Sequence, residues 1–223
     1  MLPLKDSIRA LTRPVVTYTI LVINILVFFY ELSLGPYLND FVRQFGAIPF
    51  YIFHPVGFSS YATLFSSMFI HANFMHILGN MLFLWIFADN VEDRIGHTKF
   101  IFFYFICGIA AALLHGITAV NSKVPMIGAS GAISGVLGAY ILLFPKARIL
   151  ALIPLGFFLR ITYLPSIIFL GIWFFYQFLF GVSSLGAQGG GVAYFAHIGG
   201  FVAGLLLALP FRKRQKQHAY RIF

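Results

Sequence analysis

Four polar side chains have the types and spacing that acyl transfer requires. His76 and Asn80 are four residues apart, so they share one face of a helix. Ser130 begins an apolar run, where its hydroxyl would lie among the free backbone N–H groups of a helix N-terminus. His197 lies about one turn into the last apolar run, at about the depth of Ser130. A serine beside a histidine base is an activated nucleophile, and N–H donors from His76, Asn80 and the Ser130 backbone could hold a developing oxyanion.

Small residues offer a way to bring Ser130 and His197 together. Glycines spaced four apart give a helix a flat face that lets a second helix backbone approach closely. If the two glycine-rich runs pack through these faces, the hydroxyl and the imidazole come within hydrogen-bond reach. The alternative is that the glycines only pack helices and that a serine such as Ser134 bonds back to its own helix. The glycines expected to pack are Gly128, Gly131, Gly135, Gly200 and Gly204.

The elements that must position these residues are apolar runs in a chain with little charge. Of its 223 residues, 60% are hydrophobic and only 9% are charged, whereas a soluble domain has about 25% charged residues. This composition excludes a soluble enzyme and a disordered chain, and predicts an all-α membrane protein. One span needs ~20 apolar residues, so the length allows about six. We expect transmembrane helices over residues 15–33, 73–90, 100–119, 130–144, 164–181 and 192–210.

Positive charges predict the orientation of these spans. With the N-terminus inside, only Arg43 and Lys123 of the fifteen Lys and Arg residues fall in outer loops. Positive charge favours the cytoplasmic side, so both termini are expected there, as an even number of spans also requires. The expected organisation is a cytoplasmic segment 1–14, a membrane domain 15–210 and a basic tail 211–223. The net charge of +9 therefore indicates contact with an anionic lipid bilayer, not with nucleic acid.

Three segments between or within the spans have unusual composition. Residues 34–72 are aromatic, nearly uncharged and interrupted by prolines, so we expect this long loop to lie in the outer membrane interface. Gly181–Gly191 has five glycines and no charge, and is either a flexible cap or a plain linker. The run 130–144 is short, so its helix must begin below one membrane surface unless the bilayer thins.

The remaining polar side chains of the spans are expected to have structural roles. Asn24 and Gln177 stand alone in their runs and are interpreted as helix-packing residues, and His115 as a structural histidine. No metal is expected, because His-Glu-x-x-His does not occur and no carboxylate lies at the depth of the histidines. No cofactor is expected either.

Three motifs occur in a fixed order along the spans: His71-x-x-x-x-His76-x-x-x-Asn80, Gly128-Ala-Ser130-Gly131 and Ala196-His197-x-x-Gly200-x-x-x-Gly204. A further segment, Val91-Glu-Asp-Arg-Ile-Gly96, follows the second span. The order and spacing of the three motifs resemble those of the rhomboid family of intramembrane serine proteases, and Val91–Gly96 resembles that family's inner-loop signature.

The resemblance implies a six-helix bundle with a Ser130–His197 dyad and no aspartate as third member. It implies an oxyanion hole formed by His76, Asn80 and the Ser130 N–H. The implied substrates are single-pass transmembrane proteins, cut within or beside the span, and the resemblance implies that the fifth span is a lateral gate. The flexible Gly181–Gly191 loop would act as the lid. The expected location is a prokaryotic plasma membrane, with the active site opening to the outer side.

The sequence departs from the family pattern in two places. The Trp-Arg pair that many members carry in the first outer loop is missing. Ser134 stands where many bacterial members have a tyrosine against the histidine, which leaves open what orients His197, with Tyr194 and Phe195 as candidates. Two other functions are alternatives: a non-catalytic rhomboid-like protein that binds membrane clients, and a small-solute transporter. The chain keeps both dyad residues, and it shows no inverted repeat and no charged midplane residue.

Overall fold

The computed structural model describes residues 1–155, 158–184 and 192–212, and within these ranges the chain is mainly helical. The predicted basic tail from residue 213 onward and residues 185–191 of the predicted lid lie outside the described residues. The helices in chain order are Val15–Ser33 (α1), Leu38–Phe45 (α2), Pro49–Phe53 (α3), Phe58–Ser66 (α4), Phe74–Ile95 (α5), His97–Thr118 (α6), Ser130–Leu143 (α7), Ser166–Ser183 (α8) and Tyr194–Ala208 (α9).

Five of the described helices are long and apolar enough to cross a membrane. They are α1, α5, α6, α8, and α9 together with the 3-10 turn that extends it to Phe211. Helix α7 is apolar but has only 14 residues, which gives a length of about 21 Å at ~1.5 Å per residue, short of a ~30 Å hydrocarbon core. The mostly helical membrane fold expected from the sequence is therefore confirmed. The count of six spans stays a prediction, because the sixth depends on the short α7.

Helix α7 lies at the centre of the bundle and packs against α5, α6, α8 and α9. Every residue from Gly131 to Tyr140 is buried. This burial is possible because α7 consists largely of glycine, alanine and aliphatic residues, so its neighbours can approach its backbone closely. We use "site end" for the end of the bundle where α7 begins and "sheet end" for the end where it stops.

A small antiparallel sheet, which the sequence analysis did not anticipate, closes the sheet end. Ile149 and Ala151 are fully buried against the bundle. Asp6 ties the sheet to α7, because its carboxylate accepts a hydrogen bond from the Tyr140 hydroxyl at 2.6 Å. The strands occur in the order β1-β2-β3 and comprise Leu2–Asp6 (β1), Arg148–Leu155 (β2) and Phe158–Pro165 (β3).

Buried acidic side chains at the C-terminal end of α5 hold the start of α1. Glu92 is fully buried and accepts hydrogen bonds from the backbone N–H groups of Val16 and Thr17. The adjacent Asp93 accepts from both the backbone and the hydroxyl of Thr12. A carboxylate at a helix N-terminus accepts hydrogen bonds from free N–H groups and interacts favourably with the positive end of the helix dipole. These contacts fix α1 against α5.

The segment expected as a long loop after α1 contains the short helices α2, α3 and α4. Ala47 pairs with Met126 through two backbone hydrogen bonds, of 3.0 and 2.8 Å. The Gly128 N–H donates to the Ser67 carbonyl at 2.8 Å. This segment therefore holds the turn that leads into α7 and so fixes where α7 begins.

Candidate active site

The Ser130 hydroxyl and the His197 imidazole are hydrogen-bonded at the site end of the bundle. Ser130 is the first residue of α7, and His197 is the fourth residue of α9. The distance from Ser130 Oγ to His197 Nε2 is 2.9 Å. Since Nε2 can accept the hydroxyl proton at this distance, the pair has the geometry of a nucleophile with its general base.

Backbone contact between α7 and α9 brings this pair together. A methyl group added at Gly200 would collide with the carbonyl of Gly131, and one added at Gly204 would collide with the backbone of Gly135. The backbones of α7 and α9 are therefore in direct contact at Gly131 and Gly200. Gly131 is one residue after Ser130, and Gly200 is three residues after His197. Of the five glycines named from the sequence, these four lie in the α7–α9 contact.

The fifth glycine, Gly128, has a different place. Its φ is +118°, a conformation that residues with a Cβ rarely adopt, so it forms the turn before α7. A Cβ at this position would lie 2.7 Å from His76 Nε2 and 3.6 Å from Asn80 Nδ2. Both side chains from α5 therefore point at the turn that precedes the serine. The Ser130 N–H belongs to the first turn of α7, where backbone N–H groups have no acceptor within the helix.

A hydrogen bond to Nδ1 fixes the tautomer of the neutral His76 ring. The backbone N–H of Ala72 donates to His76 Nδ1 at 3.3 Å, so the remaining ring hydrogen of the neutral imidazole is on Nε2. The His76 backbone N–H is itself held by the Asn73 side chain, which caps α5. His76 thus presents an N–H donor toward Gly128, as Asn80 does with its amide.

A buried network lies behind Asn80 and includes two residues that sequence reasoning did not assign a role. His71 Nε2 accepts a hydrogen bond from Asn80 Nδ2 at 3.0 Å, while its Nδ1–H donates to the Phe69 carbonyl. The His71 backbone N–H in turn contacts both carboxylate oxygens of Glu31 at 3.2 Å. Burial, with a smaller effect of nearby His76, lowers the pKa of His71 to about 4, so its ring is neutral at pH 7. One amide N–H of Asn80 is thereby fixed, and the other is available to a ligand.

Gln177 on α8 is hydrogen-bonded to the second ring nitrogen of His197. The distance from its Oε1 to His197 Nδ1 is 2.7 Å. The interpretation of Gln177 as an isolated packing residue therefore missed its contact with the predicted base. Of the two candidates for orienting His197, Tyr194 stacks instead on Phe180, at 5.7 Å between ring centroids. The signal available in the sequence was that Gln177 is a strongly polar side chain in an otherwise apolar helix.

The Ser134 hydroxyl, one turn after Ser130, bonds to its own helix as the sequence suggested. It donates to the Ser130 carbonyl at 2.7 Å. A small cavity of about 40 Å³ beside Ser130 is lined in part by Met126, Ala193 and Ala196. This space can hold a water molecule but not a peptide segment. A larger cavity of about 250 Å³ belongs to the α2–α4 segment and has none of the site residues in its lining.

Within the part of the chain that the structure describes, no three His, Cys, Asp or Glu side chains come together in a way that could hold a metal ion. The side chains that meet at the site are the Ser130 hydroxyl, the His76 and His197 imidazoles and the Asn80 and Gln177 amides.

Comparison with known proteins gives a consistent result. The Rhomboid domain family model matches residues 59–214, which include all the site residues. The chain is 30% identical over 201 residues to the Rhomboid protease GluP of Bacillus subtilis, covering 89% of this chain and 36% of that protein. It is 29% identical over 170 residues to the mitochondrial Rhomboid protein 1 of Saccharomyces cerevisiae, covering 74% and 46%. The chain thus spans less than half the length of these relatives.

Proposed function

The chain belongs to the rhomboid family, and we propose that it is an intramembrane serine endopeptidase that cuts single-pass membrane proteins within or beside their transmembrane segment. The observation that supports this most directly is the 2.9 Å hydrogen bond between Ser130 Oγ and His197 Nε2. A family that includes a rhomboid protease also supports it.

In the proposed mechanism, His197 moves one proton from Ser130 to the leaving amine and a second proton from water back to Ser130. His197 Nε2 takes the hydroxyl proton while Ser130 Oγ attacks the scissile carbonyl, which forms a tetrahedral oxyanion. His197 then gives the proton to the leaving amine, and the C–N bond breaks to leave an acyl-serine. In the second half, His197 Nε2 takes a proton from a water molecule as that water attacks the ester, and His197 then gives this proton to Ser130 Oγ as the acid product leaves.

Three N–H groups are proposed to stabilise the oxyanion. Two are the His76 Nε2–H and an Asn80 amide N–H, which point toward the turn at Gly128. The third is the backbone N–H of Ser130. These donors are preorganised, because hydrogen bonds hold His76 at Nδ1 and Asn80 through the other N–H of its amide nitrogen.

The dimensions of the site limit how a substrate can enter. Because the cavity beside Ser130 has room for water but not for a peptide, a helix or loop has to move first. Helix α8 is the best candidate, since most of its apolar side chains are exposed. Its Phe169 ring lies against Phe87 of α5, at 6.4 Å between centroids. Since α5 and α8 are antiparallel, Phe83 and Trp173 lie one turn closer to the site, and we propose lateral entry between them.

A substrate in a regular helix hides its carbonyl groups in hydrogen bonds. It must unwind locally before Ser130 can attack, so small or helix-breaking residues near the cut are favoured. The proposed setting is a prokaryotic plasma membrane with both termini cytoplasmic and the site end facing outward, and the distribution of Lys and Arg supports this orientation.

The experiment that tests this function compares wild type with Ser130→Ala on a panel of single-span substrates. We expect the substitution to lower cleavage by roughly 10³-fold or more without changing thermal stability. A fluorophosphonate should form an adduct that mass spectrometry maps to Ser130. Ser134→Ala is the matched control, because that hydroxyl is one turn away and donates to the Ser130 carbonyl of its own helix. If wild type binds single-span proteins but Ser130→Ala changes nothing, the chain is a non-catalytic client-binding member of the family.

A further inference from the structure

We propose that Gln177 is a positioning residue that takes the place of the third member of a catalytic triad. Its amide oxygen holds the Nδ1–H of His197 and so fixes the tautomer in which Nε2 can act as a base. This inference rests on the proposed function, because it assigns a role within the same site.

The two hydrogen bonds of His197 form on opposite ring nitrogens. Gln177 Oε1 lies 2.7 Å from Nδ1, and Ser130 Oγ lies 2.9 Å from Nε2. A neutral imidazole carries one N–H, and an amide oxygen can only accept. The hydrogen must therefore be on Nδ1, which leaves the Nε2 lone pair free to receive the serine proton. With the hydrogen on Nε2, the ring could not act as the base.

Other described neighbours of the ring do not supply this contact. The Trp173 ring is 6.0 Å away between centroids and tilted by 37°, so it packs against the imidazole without holding a nitrogen. The Ser134 hydroxyl is engaged with the Ser130 carbonyl. Among the described residues, Gln177 is thus the side chain whose hydrogen bond sets the orientation of His197.

An aromatic contact one turn away keeps Gln177 in place. Phe174 on α8 stacks on Phe201 of α9, with 4.5 Å between ring centroids and 29° between planes. These residues are three and four positions from Gln177 and His197, so the stack lies directly beneath the hydrogen bond. The register of α8 on α9, fixed by this stack, therefore brings the amide to the ring.

An amide suits this location better than a carboxylate. A charged side chain within a span is costly to bury, whereas a hydrogen-bonded amide orients the ring at a smaller desolvation cost. The expected consequence is that the hydrogen bond orients the base but stabilises the imidazolium less than an aspartate would.

The test uses full-length protein with two substitutions of similar size. Gln177→Leu removes the acceptor, and Gln177→Glu keeps an oxygen there and adds a charge. Phe178→Leu is the matched control, because Phe178 is the next residue of α8 and is 49% exposed. The rates to be measured are fluorophosphonate labelling and membrane-substrate cleavage, both as a function of pH.

We expect Gln177→Leu to slow labelling and cleavage together by roughly ten-fold, the size of effect for one neutral hydrogen bond. Equal slowing is expected because both reactions need the base, whereas a defect in substrate entry would spare the small reagent. Gln177→Glu should recover most of the rate. A carboxylate favours the protonated ring, which cannot act as a base. As the pH is lowered, the variant should therefore lose activity at a higher pH than wild type. The other titratable groups near the ring, His76 and His115, are the same in all variants.

A second measurement reads the tautomer directly. ¹⁵N-NMR of protein labelled at its seven histidines distinguishes Nδ1–H from Nε2–H rings, and His197→Gln identifies the signal. We expect the Nδ1–H form in wild type and a mixture in Gln177→Leu. An Nε2–H ring in wild type, or an unchanged ring in Gln177→Leu, overturns the proposal.

The outcomes separate this inference from the proposed function. If Ser130→Ala abolishes labelling and Gln177→Leu matches wild type in rate and pH profile, the function stands and the positioning role is wrong. If Gln177→Leu and Gln177→Glu are equally slow with one pH profile, Gln177 is merely structural and the proposal is also wrong. If wild type neither labels nor cleaves, the proposed function fails, and the tautomer measurement still decides whether Gln177 holds the ring.

Discussion

A single methyl group at Gly200 should disable the site without touching either dyad residue. Gly200 lies in α9 three residues after His197, against the part of α7 that follows Ser130. A Cβ built there collides with the carbonyl oxygen of Gly131 and lies 3.3 Å from the Ser134 Cβ. The carbonyl belongs to a helix backbone and cannot rotate away, so Gly200→Ala must push α7 and α9 apart.

The geometry gives the size of the effect. Real Cβ atoms essentially never come within 3.0 Å of another heavy atom, so we expect the helices to separate by about 1 Å, a displacement that can cost roughly 10²-fold in rate. The Ser130–His197 hydrogen bond, 2.9 Å in the structure, would stretch beyond the ~3.2 Å limit of a good hydrogen bond. Overpacking should cost about 1–3 kcal/mol of stability, offset by up to ~1 kcal/mol from replacing glycine in a helix.

The assay measures substrate cleavage, fluorophosphonate labelling and thermal unfolding of the same purified protein. Gly171→Ala in α8 is the matched control, because nothing lies within 4 Å of a Cβ at that position. We expect the control to retain wild-type rates, and Gly200→Ala to lose both cleavage and labelling while remaining folded. A folded Gly200→Ala protein that labels at the wild-type rate would refute the idea that backbone contact between α7 and α9 sets the dyad.

Two further predictions concern the oxyanion donors and the entry route. Asn80→Ala should lower cleavage by less than the roughly 10²–10³-fold that a dominant oxyanion donor contributes, because two other donors remain. His197→Ala should abolish both cleavage and labelling. An equal loss of activity in the two variants would contradict these roles. In a Cys107→Ala background, a crosslink between cysteines at Phe83 and Trp173 should slow cleavage of a membrane substrate far more than reagent labelling, and unchanged cleavage in the crosslinked protein would rule out lateral entry.

Composition and motif spacing were sufficient to predict the membrane fold. With 60% hydrophobic and 9% charged residues the chain requires burial in lipid, and apolar runs long enough to span a membrane satisfy their backbone hydrogen bonds there as helices. The glycine spacing of the two runs also limits how their helices can meet, because small residues at intervals of four form a continuous face. Composition and glycine spacing are local properties of the chain, so they can be recognised without knowing which helices pack against each other.

The small sheet escaped prediction for a physical reason. The strands β1 and β2 are more than 140 residues apart in sequence, and neither is stable alone. Each forms because the other supplies its hydrogen bonds and because α5 packs against β1 and α8 against β2. A pattern of a few residues carries no information about such a distant partner.

The contacts that complete the site were decided by tertiary structure alone. A lone glutamine in an apolar helix has the same local sequence signal whether it packs against a helix or holds a catalytic ring. What distinguishes the two is the rotation and register of α8 on α9, which the Phe174–Phe201 stack sets. The same holds for Glu31, whose carboxylate meets His71 only because α1 packs against α5. The sequence by itself determined which residues could do chemistry. Interhelical packing determined which partners orient them. The physical reason is that a hydrogen bond depends on a few tenths of an ångström in the distance between helices, and the local sequence does not specify that distance.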